Sequence, residues 1–334
     1  MIVKLKKTIF IIGSNSFSGS HFVNLALNKN YRVIGISRSN EYNSIYLPYK
    51  NSKNIKSFKF YKCDLNKNLK KITSLIKKYR PSYIVNFAAQ GMVAESWNQP
   101  EDWYNTNVIS QVKFLKNLLS YKFLRRYLQV TTPEVYGSDR NWKIESNIFS
   151  PSTPYAISRA CLDTHLQAYF KVYNFPVLFT RTANVFGPGQ QLYRIVPKTL
   201  MKSLLKNKIT LHGGGKSKRS FIYIEDACRA NLKVLLKGKL GETYHISTNK
   251  IVSIKELVKK ISIKTNLSFK KLTKYASDRK GKDHYYKLDS KKIRKQLNWK
   301  DEISLERGIH LTFKWIIKNF KYLKKQSLEY KHKS

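Results

Sequence analysis

The sequence predicts an α/β protein, a doubly wound parallel sheet followed by a smaller C-terminal α/β domain. Three observations carry that prediction. Short apolar runs alternate with longer amphipathic stretches through the first two-thirds of the 334 residues. The first run leads straight into a glycine-bracketed turn, Gly13-Ser14-Asn15-Ser16-Phe17-Ser18-Gly19. The hydrophobic fraction, 42%, is high enough to bury a core.

Taken in order, Ile9–Ile12, Arg32–Ile36, Phe58–Tyr61, Tyr83–Phe87, Tyr127–Val130 and Val177–Thr180 read as buried parallel strands. Between them, Ser18–Asn28, Leu69–Lys78, Trp103–Tyr121 and Ser158–Tyr173 have helical spacing. Strands separated by helices of this length are βαβ units, which makes the sheet Rossmann-type. From Pro188 the elements become shorter and lysine-rich, with a glycine turn at His212-Gly213-Gly214-Gly215. Phe221–Ile224 and Thr243–Ile246 read as strands that rejoin or extend the sheet, and Ser253–Ile261 and Leu305–Phe320 as amphipathic helices. The expected division is residues 1–186, rejoined by 220–247, as a dinucleotide-binding domain. Residues 187–219 and 248–322 form a substrate domain laid across the strand ends, and 323–334 a frayed, solvated tail.

Composition narrows the class. The formal net charge is +44. Attraction to nucleic acid or an acidic membrane surface is one reading of it. A surface drifted basic in a Lys/Asn/Ile/Tyr-rich proteome is the other, preferred because the lysines are spread along the chain without a nucleic-acid motif. Such a field also favours an anionic small substrate. Cys63, Cys161 and Cys228 form no CxxC pair, and no histidine pair has metal-ligand spacing, so no metal site is expected. The apolar run after Met1–Lys7 is too short for a signal peptide, and no segment approaches the about 18 apolar residues of a membrane span. A soluble, cytoplasmic protein is expected.

The turn from Gly13 to Gly19 suits a pyrophosphate resting on helix N-terminal amides, with Ser16 in place of the usual middle glycine. Ser16 and Phe17 are thus expected beside the cofactor. The second strand ends Gly35-Ile36-Ser37-Arg38-Ser39 with no acid for a ribose 2′-hydroxyl. Arg38 instead suits a 2′-phosphate, which favours NADP over NAD. Asp64, followed by Leu65, is placed either to hold an adenine amino group or to cap the next helix. Asn86-Phe87-Ala88-Ala89-Gln90 ends the fourth strand in small residues, so that Ala88 allows close approach.

The chemical end is Thr131-Thr132-Pro133-Glu134-Val135-Tyr136-Gly137, then Tyr155-Ala156-Ile157-Ser158-Arg159. It offers a base for a hydroxyl proton and, separately, a carboxylate for a carbon-bound proton. A free tyrosine titrates near ~10, so Tyr155 needs stabilisation as phenolate, and Arg159 one helical turn later supplies a cation.

These pieces resemble the extended short-chain dehydrogenase/reductase family, and within it the nucleotide-sugar 4,6-dehydratases acting on dTDP-glucose or GDP-mannose. Further carriers are Pro154–Arg159, Asn184-Val185-Phe186-Gly187-Pro188, Arg219–Asp226 and Arg279-Lys280-Gly281-Lys282-Asp283 with Tyr286 and Asp289, together covering about residues 7–316. The resemblance implies a self-contained redox cycle. Tyr155 takes the sugar 4-hydroxyl proton with Thr132 aligning the oxygen, and Glu134 removes the C5 proton. Tyr155 and Arg159 also contact the cofactor, and Asn184 sits near the sugar. The family's lysine is replaced by Arg159, which keeps the charge but cannot relay protons. Pro133 stands where the dTDP-glucose enzymes usually carry an aspartic acid and the GDP-mannose enzymes a serine; it has no donor, so the acid must be Glu134, Tyr155 or a water. Arg219 is the first candidate for the substrate diphosphate, Arg279 the second and Arg194 a third. The resemblance also implies a homodimer through a four-helix bundle of the Trp103–Tyr121 and Ser158–Tyr173 helices. The rival readings are a UDP-glucuronate decarboxylase, a 4-epimerase, and a catalytically degenerate NADP- or nucleic-acid-binding protein.

Overall fold

The computed structural model describes residues 7–278 and 285–332. Its first half comprises β1 (Thr8–Ile12), α1 (Phe17–Asn28), β2 (Arg32–Ser37), β3 (Phe58–Lys62), α2 (Leu69–Tyr79), β4 (Tyr83–Asn86), α3 (Pro100–Tyr104), α4 (Ser110–Leu118), β5 (Arg126–Thr131), α5 (Pro154–Tyr173) and β6 (Val177–Thr182). There follow β7 (Asn184–Phe186), α6 (Ile195–Leu204), β8 (Ile209–His212), β9 (Lys218–Arg219), β10 (Phe221–Tyr223), α7 (Ile224–Lys237) and β11 (Thr243–Ile246). The last elements are β12 (Val252–Ser253), α8 (Ile254–Lys264), α9 (Phe269–Leu272), β13 (Thr273–Ala276), β14 (Tyr285–Tyr286), α10 (Lys291–Leu297), α11 (Leu305–Lys318) and α12 (Phe320–Leu323).

The main sheet has seven strands in the order β11-β6-β5-β4-β1-β2-β3, every neighbouring pair parallel. Successive residues of a strand face opposite sides, so Ile9, Ile11 and Val33 enter one core while Phe10, Ile12, Ile34 and Ile36 enter the other. Helices α1, α7 and α11 cover the first face and α2, α4 and α5 the second. Burial on both sides is why these strands read as continuous apolar runs. The strand order reverses between β1 and β4, and the carboxyl ends on either side of that point open a cleft.

Several expectations need correction. Phe221–Tyr223 does not join the main sheet; it pairs with β7 in a separate two-stranded sheet, and Ile224 already begins α7. Only Thr243–Ile246 extends the main sheet, against β6. The expected helix over Trp103–Tyr121 is interrupted by a π turn at Asn105–Ile109. The C-terminal elements share the core of the first face through Trp299, Ile309, Ile316 and Leu323. The tail is not simply solvated, because Tyr330 and His332 pack back against the cleft.

Candidate functional site

The dinucleotide end is built by backbone sterics. Gly13 has φ +83°, and a Cβ there would lie 2.9 Å from Ala88 N. A Cβ on Gly19 would lie 2.1 Å from Gly13 O, so α1 approaches the end of β1 only because residue 19 lacks a side chain, while Gly13 lets the end of β4 come close. Ser16, in place of the middle glycine, caps α1: its Oγ accepts from Gly19 N at 3.0 Å. The amide ends of α1 thus face the cleft beside Ser16 and Phe17. Arg38 stands in the cleft wall at the end of β2, where Ser37 Oγ accepts from Asn15 N at 2.9 Å. Asp64 and Leu65 also line the cleft, and the Asp64 carboxylate accepts from Asn66 N at 2.9 Å, closing a local turn.

At the chemical end, Thr132 closes β5 and its Oγ1 accepts from Glu134 N at 3.3 Å, starting a short 3-10 turn over Pro133–Tyr136. Pro133 is its first residue, the one helical position where a missing N–H costs nothing. Glu134 is half-buried in the cleft wall. Tyr155 lies on the first turn of α5, which Thr153 caps by accepting from Ala156 N at 3.2 Å. The Thr132 hydroxyl and the Glu134 carboxylate both lie close enough to act on the Tyr155 phenol, so the three meet in one place.

Arg159 follows Tyr155 on the same helix face and is 2% exposed. Its Nη2 donates to Val130 O at 2.5 Å, while Nε and Nη1 are buried without a partner. Such a guanidinium edge asks for oxygen acceptors, and a cofactor ribose has them. The glycine cradle and this edge together fit a nicotinamide dinucleotide. Burial raises the Tyr155 phenol above its ordinary value and the Glu134 carboxylate adds to that; Arg159, Thr132 and Arg194 pull the other way and are outweighed. Arg159 alone therefore does not deliver a phenolate.

Behind these residues a polar frame fixes the strand ends. Arg181 Nη2 meets Asp163 Oδ2 at 2.9 Å, both side chains fully buried, and Thr131 Oγ1 donates to the same oxygen at 3.1 Å. Arg181 Nη1 donates to Tyr136 Oη at 2.7 Å, and Tyr136 Oη pairs with His245 Nε2 at 2.8 Å. His245 thus belongs to the frame.

The same cleft, about 1030 Å³, continues past Asn184 and Arg194 to Arg219. Arg219 lies over the Tyr286 ring at 4.4 Å. Arg194, over Tyr193 at 5.4 Å, begins α6. Arg279 lies outside the described residues. The sequence reading missed Glu95, Lys198, Lys202, His212 and Tyr330, all of which line the cleft. Only the glycine run after His212 hinted at one of them.

A protein-family model described as GDP-mannose 4,6 dehydratase matches residues 10–312. The chain is 30% identical to a dTDP-D-glucose 4,6-dehydratase of Mus musculus, covering 94% of this chain and 90% of that one. A dTDP-D-glucose 4,6-dehydratase of Dictyostelium discoideum is also 30% identical, over 94% of this chain and 82% of that protein. A dTDP-glucose 4,6-dehydratase from Streptomyces venezuelae, solved with NAD and TYD bound, superposes with a TM-score of 0.87 at 27% identity, covering 94% and 98% of the two chains.

Proposed function

We propose a reaction for a chain that belongs to the GDP-mannose 4,6 dehydratase family: the 4,6-dehydration of a nucleotide sugar to its 4-keto-6-deoxy form, with dTDP-glucose the first substrate and GDP-mannose the next. The observation that carries it is Thr132, Glu134 and Tyr155 converging in the cleft that the Gly13–Gly19 turn opens. A nicotinamide dinucleotide, when bound, supplies the hydride acceptor and donor of the cycle.

The chain's own residues move the protons. Tyr155 must first be ionised; as a phenolate it accepts the proton of the 4-hydroxyl, and the Thr132 hydroxyl holds the 4-oxygen beside it. Once C4 is a ketone, the C5 hydrogen becomes acidic and Glu134 removes it. The hydroxyl leaving C6 must then take a proton, and Pro133 has none to give. Glu134, newly protonated, can return that proton, so one carboxyl serves as base and then acid. Asn184 orients the sugar, and Arg219, Arg194 and Arg279 hold the diphosphate. Gly13, Ser16, Phe17, Gly19, Asp64, Leu65 and Ala88 hold the dinucleotide, with Arg159 on its ribose and Arg38 selecting a 2′-phosphate, hence NADP before NAD. The division into a dinucleotide-binding part, residues 1–186 with 220–247, and a sugar-nucleotide part follows from this reading. We also place the protein in the cytoplasm as a homodimer. Support for the dimer is apolar surface at Ile109, Ile157, Val172 and Tyr173, all 42% exposed or more, at the start of α4 and along α5.

Incubation with dTDP-, GDP-, UDP- and CDP-sugars, read by mass spectrometry, should give loss of one water from one of them. Loss of carbon dioxide from UDP-glucuronate would replace this reading with a decarboxylase. Glu134→Gln should lower turnover by about 100-fold or more and leave reduced nicotinamide absorbance standing. Undiminished turnover removes Glu134 from the mechanism.

A further inference from the structure

Beyond α12 the chain does not leave the molecule. From Leu328 to His332 it runs back along the open side of the cleft with alternating exposure: Leu328, Tyr330 and His332 turn inward, and Glu329 and Lys331 outward. Leu328 packs against the core. Glu329 takes both carboxylate oxygens to Lys198 Nζ on α6, each at 2.8 Å. The Tyr330 ring meets Tyr193 edge-on at 5.2 Å, with Arg38 and Arg194 near enough to act on its phenol. His332 stacks on Trp103 of α3, ring centroids 5.0 Å apart and planes 12° apart. Its Nε2 pairs with Asp102 Oδ2 at 2.7 Å and its Nδ1 with Gln90 Nε2 at 3.2 Å. One neutral tautomer satisfies both contacts, Nε2–H donating to the carboxylate and Nδ1 accepting from the amide.

The anchors lie on opposite banks. Lys198 and Tyr193 belong to the α6 side, whereas Gln90, Asp102 and Trp103 belong to the end of β4 and the helix beyond it. Gln90, Arg38, Glu329 and Tyr330 all line the cleft itself. We propose that residues 328–332 are a strap closed across the mouth of the dinucleotide cleft, and that it retains the cofactor between turnovers. The proposal rests on the dehydratase reading, in which C4 oxidation and C6 reduction leave no net redox change. A retained dinucleotide then serves indefinitely, and one lost in mid-cycle strands an oxidised sugar. A segment bonded to both banks must let go of one of them before the dinucleotide leaves, so its contacts act on the release rate.

The test is release of cofactor from the full chain. Protein loaded with NADPH or NADH is mixed with excess oxidised dinucleotide, and loss of nicotinamide fluorescence is followed by stopped flow. Removing residues 328–334 should speed release roughly tenfold, and Tyr330→Ala and His332→Ala should each speed it by less. If the truncated chain fails to fold, as thermal melting will show, the two point variants decide. Release rates indistinguishable from the full chain overturn the strap, as does tighter binding after truncation, which would mark the segment as an obstruction. A full chain that binds neither dinucleotide sinks the dehydratase reading instead, and the two failures are thereby separate.

Discussion

Arg38 stands in the cleft wall at the end of β2, where the proposed reading puts the cofactor's adenosine ribose. The guanidinium fork matches a 2′-phosphate, and nothing acidic at the end of β2 opposes it. Arg38→Ala should therefore weaken NADP binding about tenfold or more while changing NAD binding little, as read by titration of cofactor fluorescence. Equal losses for both dinucleotides would defeat the 2′-phosphate argument. Arg159 shows the complementary lesson. Its charge was legible in the sequence, but its effect on Tyr155 was not, because burial raises the phenol more than the cation lowers it. Pro133 was legible as a residue with no proton to donate; the structure adds that it starts a 3-10 turn, where its missing N–H costs nothing.

At the scale of elements, the outward side of α5 and the π turn that leads into α4 carry exposed apolar side chains, Ile157, Val172 and Tyr173 on the one and Ile109 on the other. Ile157 is 42% exposed, two residues beyond Tyr155 on α5. If these helices pair about a two-fold axis, Ile157→Glu should place two like charges near each other and give a monomer in sedimentation velocity. A variant that remains a dimer, or a parent chain that is a monomer, rules out this interface. Three of the expected helices carry a chemical signal at their start. Thr153 caps α5, Ser304 caps α11, and Ser253 with Glu256 makes a capping box on α8; each of these helices was expected. Helices α6 and α7 were missed, and both begin without a side-chain cap, after Arg194 and Tyr223. At α7 the apolar residues of β10 run directly into those of the helix with no turn between them, so the period changes unannounced.

For the whole molecule, two histidines couple stability to acid, His245 buried and His21 half-buried. His245 is fully buried and its pKa is lowered from 6.5 to about 3, by burial first and the nearby Arg181 second. His21, bonded to Pro188 O, is lowered by burial to about 4. Both are neutral in the fold, whereas the unfolded chain takes up their protons below 6.5. Stability should thus be intact above that pH, fall as pH drops below it, and level off past the folded values. Between pH 7 and pH 5 the loss is about 2 kcal/mol per histidine, measurable by urea denaturation. Ample salt is needed there to screen self-repulsion from the net charge of +44. A flat profile over that interval would mean that both rings take up their protons in the fold as readily as in the unfolded chain, and half the loss that only one does. By itself the sequence determined the parallel sheet and singled out the Gly13–Gly19 turn and the residues Thr132, Glu134 and Tyr155, because period, glycine placement and residue type act over a few neighbouring residues. Only the tertiary structure decided that Phe221–Tyr223 pairs with β7, that Arg181 and Asp163 lock the site from behind, and that the last described residues return over the cleft. Those outcomes depend on which surfaces far apart in the chain meet, and no local pattern fixes that.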